Sequence, residues 1–284
     1  YNTTRFPMVH FNYNSDDGIL LGAGFSHRTY GFRNLPYATD QRLSALYAVD
    51  RGGLRLQYRG EFNHVLRNLD LLVRGDFASP SLNNFFGLGN NSKINDALPH
   101  RYYQTLYQYL EAQVLLRKRL FENLHLMAGP YLYSYSAKYN RNDETVLGKP
   151  SQVRLDSAAV FGKKMYGGLK LGLLVDNRNR EFFPTRGMLW RHDFLFTSNL
   201  RTGEGKYVAY TTDMSLYASL RQEAKLVTVL KFGGGRIFSK NYEYFQAMSF
   251  GAQNEMPGFR KNRFAGKSSL YGGIEFRAQL FNIN

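Results

Sequence analysis

Apolar and polar positions alternate with a period of two along most of the chain. In residues 54–62, Leu54, Leu56, Tyr58, Gly60 and Phe62 oppose Arg55, Gln57, Arg59 and Glu61. In 69–77, Leu69, Leu71, Val73, Gly75 and Phe77 oppose Asp70, Leu72, Arg74 and Asp76. Residues 208–220 and 270–280 repeat the pattern. A helix would scatter Arg55, Arg59 and Glu61 around its axis, whereas a strand puts them on one face. The pattern predicts about twelve strands, near 6–14, 19–28, 42–51, 54–62, 69–77, 103–118, 124–137, 165–177, 188–198, 207–220, 225–237 and 268–281.

Strand length then narrows the class. Strands of a soluble sandwich usually run about 5–6 residues. These run about 9–14 residues, the length of a tilted strand that crosses a bilayer. Long strands with alternating faces predict an all-β fold, a transmembrane antiparallel β-barrel, filling residues 1–284 as one outer-membrane domain. Connection lengths fit a barrel with short turns at one end and long loops at the other. The stretches 78–102, 138–164 and 238–267 are long; 63–68, 119–123, 178–187 and 221–224 are shorter. This parity puts the N-terminus on the periplasmic side. Two connections break it: 29–41 reads as too long and Gly52–Gly53 as too short, although a tight hairpin is allowed anywhere.

Composition excludes several alternatives. There is no Cys, so no disulfide framework and no cysteine metal site. No uncharged apolar run approaches the roughly 18–20 residues of a transmembrane helix. At 43% hydrophobic and 15% aromatic, the chain is too apolar for disorder. Its net charge of +15 comes from basic residues spread singly along the sequence. That spread argues against a nucleic-acid patch and suits a polar lumen and loops facing lipopolysaccharide. The histidines at 10, 27, 64, 100, 125 and 192 show no ligand spacing, and no nucleophile turn is present. The expectation is a non-enzymatic segment with no metal and no cofactor. Trp190 with Tyr102, Tyr103, Tyr107, Tyr109, Tyr131, Tyr133 and Tyr135 reads either as aromatic girdle or as lumen lining.

Two stretches are more specific. One is the turn Asp176-Asn-Arg178-Asn-Arg180-Glu-Phe182-Phe183-Pro184-Thr-Arg186-Gly187 between two predicted strands. Pro184 fixes φ and Gly187 permits a tight approach. Asp176, Arg178 and Arg180 read either as an ion-pair brace or as ordinary turn polarity. The other stretch runs from Gly251 to Gly266 and includes Met256, Pro257, Gly258, Phe259, Arg260, Arg263 and Phe264. It fills the long loop before the last strand.

Together these stretches resemble the outer-membrane assembly barrels of the BamA/TamA type, the bacterial surface antigen family. The Asp176–Gly187 turn is similar to the family's D-x-R…F-P-x-x-G turn. Phe85-Phe86-Gly87-Leu88-Gly89-Asn90 resembles an element of Bacteroidetes-like members. The resemblance spans essentially the whole chain. Its sixth loop carries an R-G-F/Y motif whose Arg folds into the lumen; Pro257 stands at that place here. Arg260 or Arg263 is then the expected replacement, anchored inside the lumen or left as an exposed loop cation. Asp193, Asp213 and Glu275 are the expected inner-wall partners.

The resemblance further implies an integral outer-membrane location in a Gram-negative bacterium and a full barrel of about sixteen strands. About four C-terminal strands and an N-terminal periplasmic domain are then expected beyond this sequence. It implies assistance in inserting or translocating outer-membrane or secreted proteins, with client polypeptides or accessory assembly proteins as partners besides lipid. Pro7 in the first strand removes a ladder donor and suits a weak edge. The competing expectations are an anchor or export channel for a fused phosphoesterase- or lipase-like enzyme, and a passive pore.

Overall fold

In a computed structural model the chain forms a twelve-stranded antiparallel sheet and a separate two-stranded hairpin. Residues 3–14, 18–31, 34–50, 52–92, 94–153, 155, 160–219, 225–250 and 258–279 are described. The first eleven strands are β1 (Thr3–Asn14), β2 (Gly18–Gly31), β3 (Asn34–Ala48), β4 (Gly53–Leu66), β5 (Leu69–Asn84), β6 (Gln104–Phe121), β7 (Leu124–Ala137), β8 (Gly162–Asp176), β9 (Gly187–Asn199), β10 (Tyr207–Ser219) and β11 (Leu226–Ile237). The hairpin strands β12 (Met248–Phe250) and β13 (Phe264–Gly266) sit within the following loop, and β14 (Ser268–Ala278) closes the order. Every strand of the large sheet pairs with its chain neighbour, with β14 beside β11. Among the described residues β1 and β14 are the sheet's two edges.

The register shows why alternation was so regular. Leu43, Tyr58 and Gly75 lie in one lateral row, and Arg42, Arg59 and Arg74 in the next. In an antiparallel sheet such rows share a face, so one choice of side on one strand propagates around the whole wall. The apolar rows stay exposed, as at Val9, Leu43, Leu116, Leu169, Phe194, Phe232 and Phe276. A soluble protein would bury them; a barrel wall presents them to lipid.

The strands are longer than the alternation suggested. β2 ends at Gly31 and β3 begins at Asn34, so the long connection expected at 29–41 is a short turn. The turn-end parity therefore holds there. A register shift between Thr29 and Gly31 breaks the period locally and hides the strand from a period-two reading. The Thr29 and Thr39 hydroxyls still meet across it at 2.7 Å. The Gly52–Gly53 turn remains short.

The largest buried apolar cluster joins the wall to the connections at its loop end. Phe85, Tyr107, Tyr135, Val146, Leu147, Val160 and Tyr244 pack there. Asn142 splices the 138–161 connection onto β6: its Nδ2 donates to the Leu106 carbonyl (2.8 Å), and its Oδ1 accepts the Leu106 amide (2.9 Å). The side chain thus substitutes for a strand neighbour where pairing would otherwise end.

A loop that crosses the lumen

The connection from β11 to β14 turns back over the sheet's polar face. Its first landmark is a 3₁₀ turn, Tyr244–Gln246, with a reciprocal capping box between Glu243 and Gln246. This turn drives two rings into a nest of tyrosines. Phe245 stacks on Tyr135 with centroids 4.0 Å apart, and on Tyr133 at 5.8 Å. The Tyr244 and Tyr135 hydroxyls meet at 2.8 Å, which satisfies two polar atoms that would be costly to bury alone. Burial raises the Tyr244 hydroxyl well above its ordinary pKa. Glu243 accepts from Lys164 Nζ (2.6 Å) and from the Tyr166 hydroxyl (3.2 Å). Tyr207 donates to the Gln246 carbonyl at 3.0 Å. One side of the loop is thereby fixed to β7, β8 and β10.

The other side is fixed to β5 and the connection after it. Asn84 Nδ2 donates to the Lys261 carbonyl (3.2 Å), and Asn262 Nδ2 to Asn83 Oδ1 (3.3 Å). The Gly89 amide donates to the Ala265 carbonyl at 2.8 Å. Gly89 sits at φ +95°, which explains a glycine in the Phe85–Asn90 stretch. Arg263 donates to Ser92 Oγ and to its carbonyl, both at 2.9 Å. Its guanidinium lies 5.2 Å from the Phe86 ring centre and 4.8 Å from that of Phe264. The loop therefore bridges β5 and the connection after it to β7, β8 and β10 over the sheet's polar face.

Arg263 is thus anchored, but by a hydroxyl, a carbonyl and two rings. The carboxylates expected to receive a loop arginine bond elsewhere. Asp193 lies 3.6 Å from Lys170, Asp213 accepts from the Tyr271 hydroxyl, and Glu275 pairs with Lys231 (3.0 Å) and Arg277 (2.7 Å). Each of these partners is on the same strand or one or two strands away in the sheet. The Arg260 carbonyl accepts the Arg263 amide at 3.2 Å. Gly258 has φ +92°, and Phe259 packs 5.6 Å from Phe264. Met256 and Pro257 lie outside the described residues. Tyr244 and Phe245 were not singled out in the sequence; four aromatic or acidic residues in a row, Tyr242 to Phe245, were the available signal. The tyrosines of β6 and β7 resolve as lumen lining, while Trp190 faces outward and donates to Thr212 at 3.0 Å.

The turn between β8 and β9 is built differently. Arg178 forks onto Asp176 through Nε (2.8 Å) and Nη2 (2.7 Å), and this pairing raises the Arg178 pKa. Asn179 Oδ1 accepts the Thr185 and Arg186 amides, both at 3.1 Å. Asn177 Oδ1 accepts the Met188 amide at 2.6 Å. Gly187 has φ +105°, and a Cβ there would lie 2.4 Å from the Asn177 carbonyl oxygen. Arg180 takes no side-chain partner among the described residues, so the brace is a pair and not a triad. Phe182 and Phe183, the latter at φ +50° and 85% exposed, project from the turn just before Pro184.

The family model of the Omp85 superfamily domain matches residues 36–283. The chain belongs to the Omp85 superfamily. It is therefore an integral outer-membrane β-barrel of a Gram-negative bacterium. The crystal structure of BamA from Haemophilus ducreyi lacking POTRA domains 1–3 is similar in fold: the TM-score is 0.60 at 17% identity, over 92% of this chain. The Omp85 chain described here spans about half of that structure, 47% of its length. A search of curated proteins finds no match.

Proposed function

We propose that this Omp85 barrel assists the insertion or translocation of outer-membrane or secreted polypeptides. The observation that carries the reading is the lumen-crossing loop in a chain of this superfamily. A passive pore needs an open path, and two rings docked among wall tyrosines work against one. The long loops face outward toward lipopolysaccharide, and the apolar rows contact lipid. The proposed partners are client polypeptides and accessory assembly proteins. The segment acts without catalysis: it positions strands and neither makes nor breaks bonds.

The proposed contact is strand addition at β1. Its lipid-facing Val9 and Phe11 are exposed, and Pro7, opposite Phe25, carries no ladder donor. The test reconstitutes the full-length protein in lipid vesicles and adds a urea-unfolded outer-membrane barrel as client. Folding is followed by heat-modifiable gel mobility. The expected result is faster client folding than in empty vesicles, with a disulfide trap between Val9→Cys and a client strand cysteine. Residues 1–284 contribute no competing Cys to that trap. Client folding at the rate of empty vesicles would overturn the proposal. Ester or phosphoester hydrolysis without client folding would point to the enzyme anchor instead.

A further inference from the structure

A row of arginines crosses the lumen wall; Asp40 holds Arg42, at one end, but no carboxylate among the described residues contacts the next two. Arg42 is in direct register with Arg59, and Arg59 with Arg74. Like charges placed directly opposite in a sheet repel. The rows on either side are acidic, and three of their carboxylates are already engaged. Asp40 accepts from Arg28 and Arg42; Glu61 accepts from Arg117. Asp76 accepts from Arg55, Gln57 and Tyr109. Glu111 lies near Lys170 and Tyr131 without an ion pair among the described residues. Arg59 and Arg74 are left with no hydrogen-bond or ion-pair partner among the described residues. Arg191, from β9, adds a further positive charge near Arg74, and Asp193 and Glu61 act on Arg74 with the opposite sign without contacting it.

These side chains line a cavity of about 390 Å³ on the lumen wall, together with His10, Gln113, Asp76 and Glu111. Two polar atoms of that lining are buried and unpartnered: His10 Nε2 and Gln113 Oε1. Gln113 is 7% exposed and continues the arginine row, opposite Arg74. Its amide can turn its NH₂ toward an anion, since the two orientations fill the same space.

We propose that this row is a binding site for a multiply charged phosphoryl group. Neighbouring strands lie about 4.8 Å apart, so adjacent guanidinium forks reach one compact anion together. A single carboxylate is saturated by one fork. A phosphoryl group offers at least three oxygens, enough for Arg59, Arg74 and Gln113 at once. The cavity has the volume of an ordinary small-molecule site. The group can belong to a free phosphate ester or to a lipid headgroup.

The test uses the full-length protein in non-ionic detergent, in a phosphate-free buffer of low ionic strength. Inorganic pyrophosphate is titrated by calorimetry. Saturable binding to one site per chain is expected, weakened by about tenfold or more in Arg59→Gln/Arg74→Gln and weakened by added salt. That variant removes a repulsive pair, so its heat-modifiable mobility should stay that of a folded barrel. Arg59→Lys/Arg74→Lys should bind with intermediate strength, because charge is kept and the fork lost. Arg201→Gln, in the β9–β10 connection, should bind as the parent does. Competition by a short-chain phosphatidate would assign the site to headgroups; its failure alongside pyrophosphate binding would assign it to soluble phosphates. No saturable pyrophosphate binding, equal affinity in the Gln variant, or binding of polyglutamate alone would overturn the proposal.

Discussion

The β8–β9 turn and the β11–β14 loop are both rich in Arg, Phe, Pro and Gly, yet they are held by different means. The side-chain hydrogen bonds that shape the turn join residues at most 11 positions apart. The loop is held by bonds such as Asn262 to Asn83, 179 positions apart. The turn is a local object whose form follows from its own sequence. The loop takes its form from the walls on which it lands. Changes to the turn should therefore stay local, whereas changes to the loop should alter access to the lumen.

The largest expected effect tests the second half of that contrast. Tyr244→Ala/Phe245→Ala removes two rings from a packed nest, at a cost of about 3–5 kcal/mol each. The loop should undock while the wall remains folded. Single-channel conductance should rise sharply and residues 238–267 should become protease-sensitive. Unchanged conductance and protease resistance would show that the nest does not hold the loop. Next, Gly187→Ala forces a side chain against the Asn177 carbonyl at positive φ, a strain of about 1–3 kcal/mol. It should lower the temperature of unfolding by heat-modifiability without any gain in conductance. A conductance change would break the distinction between turn and loop.

Smaller effects sharpen it. Glu243→Gln loses the Lys164 pairing but keeps the capping shape, for about 1 kcal/mol. It should give brief conductance openings instead of a steady rise. Within the turn, Arg178→Ala should cost about 0.5–1 kcal/mol, while Arg180→Ala should leave thermal unfolding unchanged. Equal losses for both would restore the three-residue brace.

The same contrast explains how much was legible in the sequence. Strand order, face and barrel class follow from period-two alternation, because an antiparallel register carries each face from strand to strand. Alternation fails where the register shifts, and there the ends of β2 and β3 read as a long connection over 29–41. The Asp176–Arg178 pair could be read because two residues of one turn suffice to form it. The partners of Arg263 could not. A loop arginine has many wall carboxylates within reach of a guess, and only the fold shows that each is already engaged. The tyrosines of β6 and β7 were ambiguous for a related reason: girdle and lumen positions both tolerate a ring with a polar tip. What decided their side was Phe245, which arrives from more than a hundred residues away.

The crossing loop is also a tie drawn across a curved wall. It ties β5 to β8 and β10, so the arc of sheet between those strands cannot widen or flatten without breaking the ties. The arc from β1 to β4 lies outside the tie. The sheet is thus cross-braced between β5 and β10 by bonds that its own strand pairing does not supply.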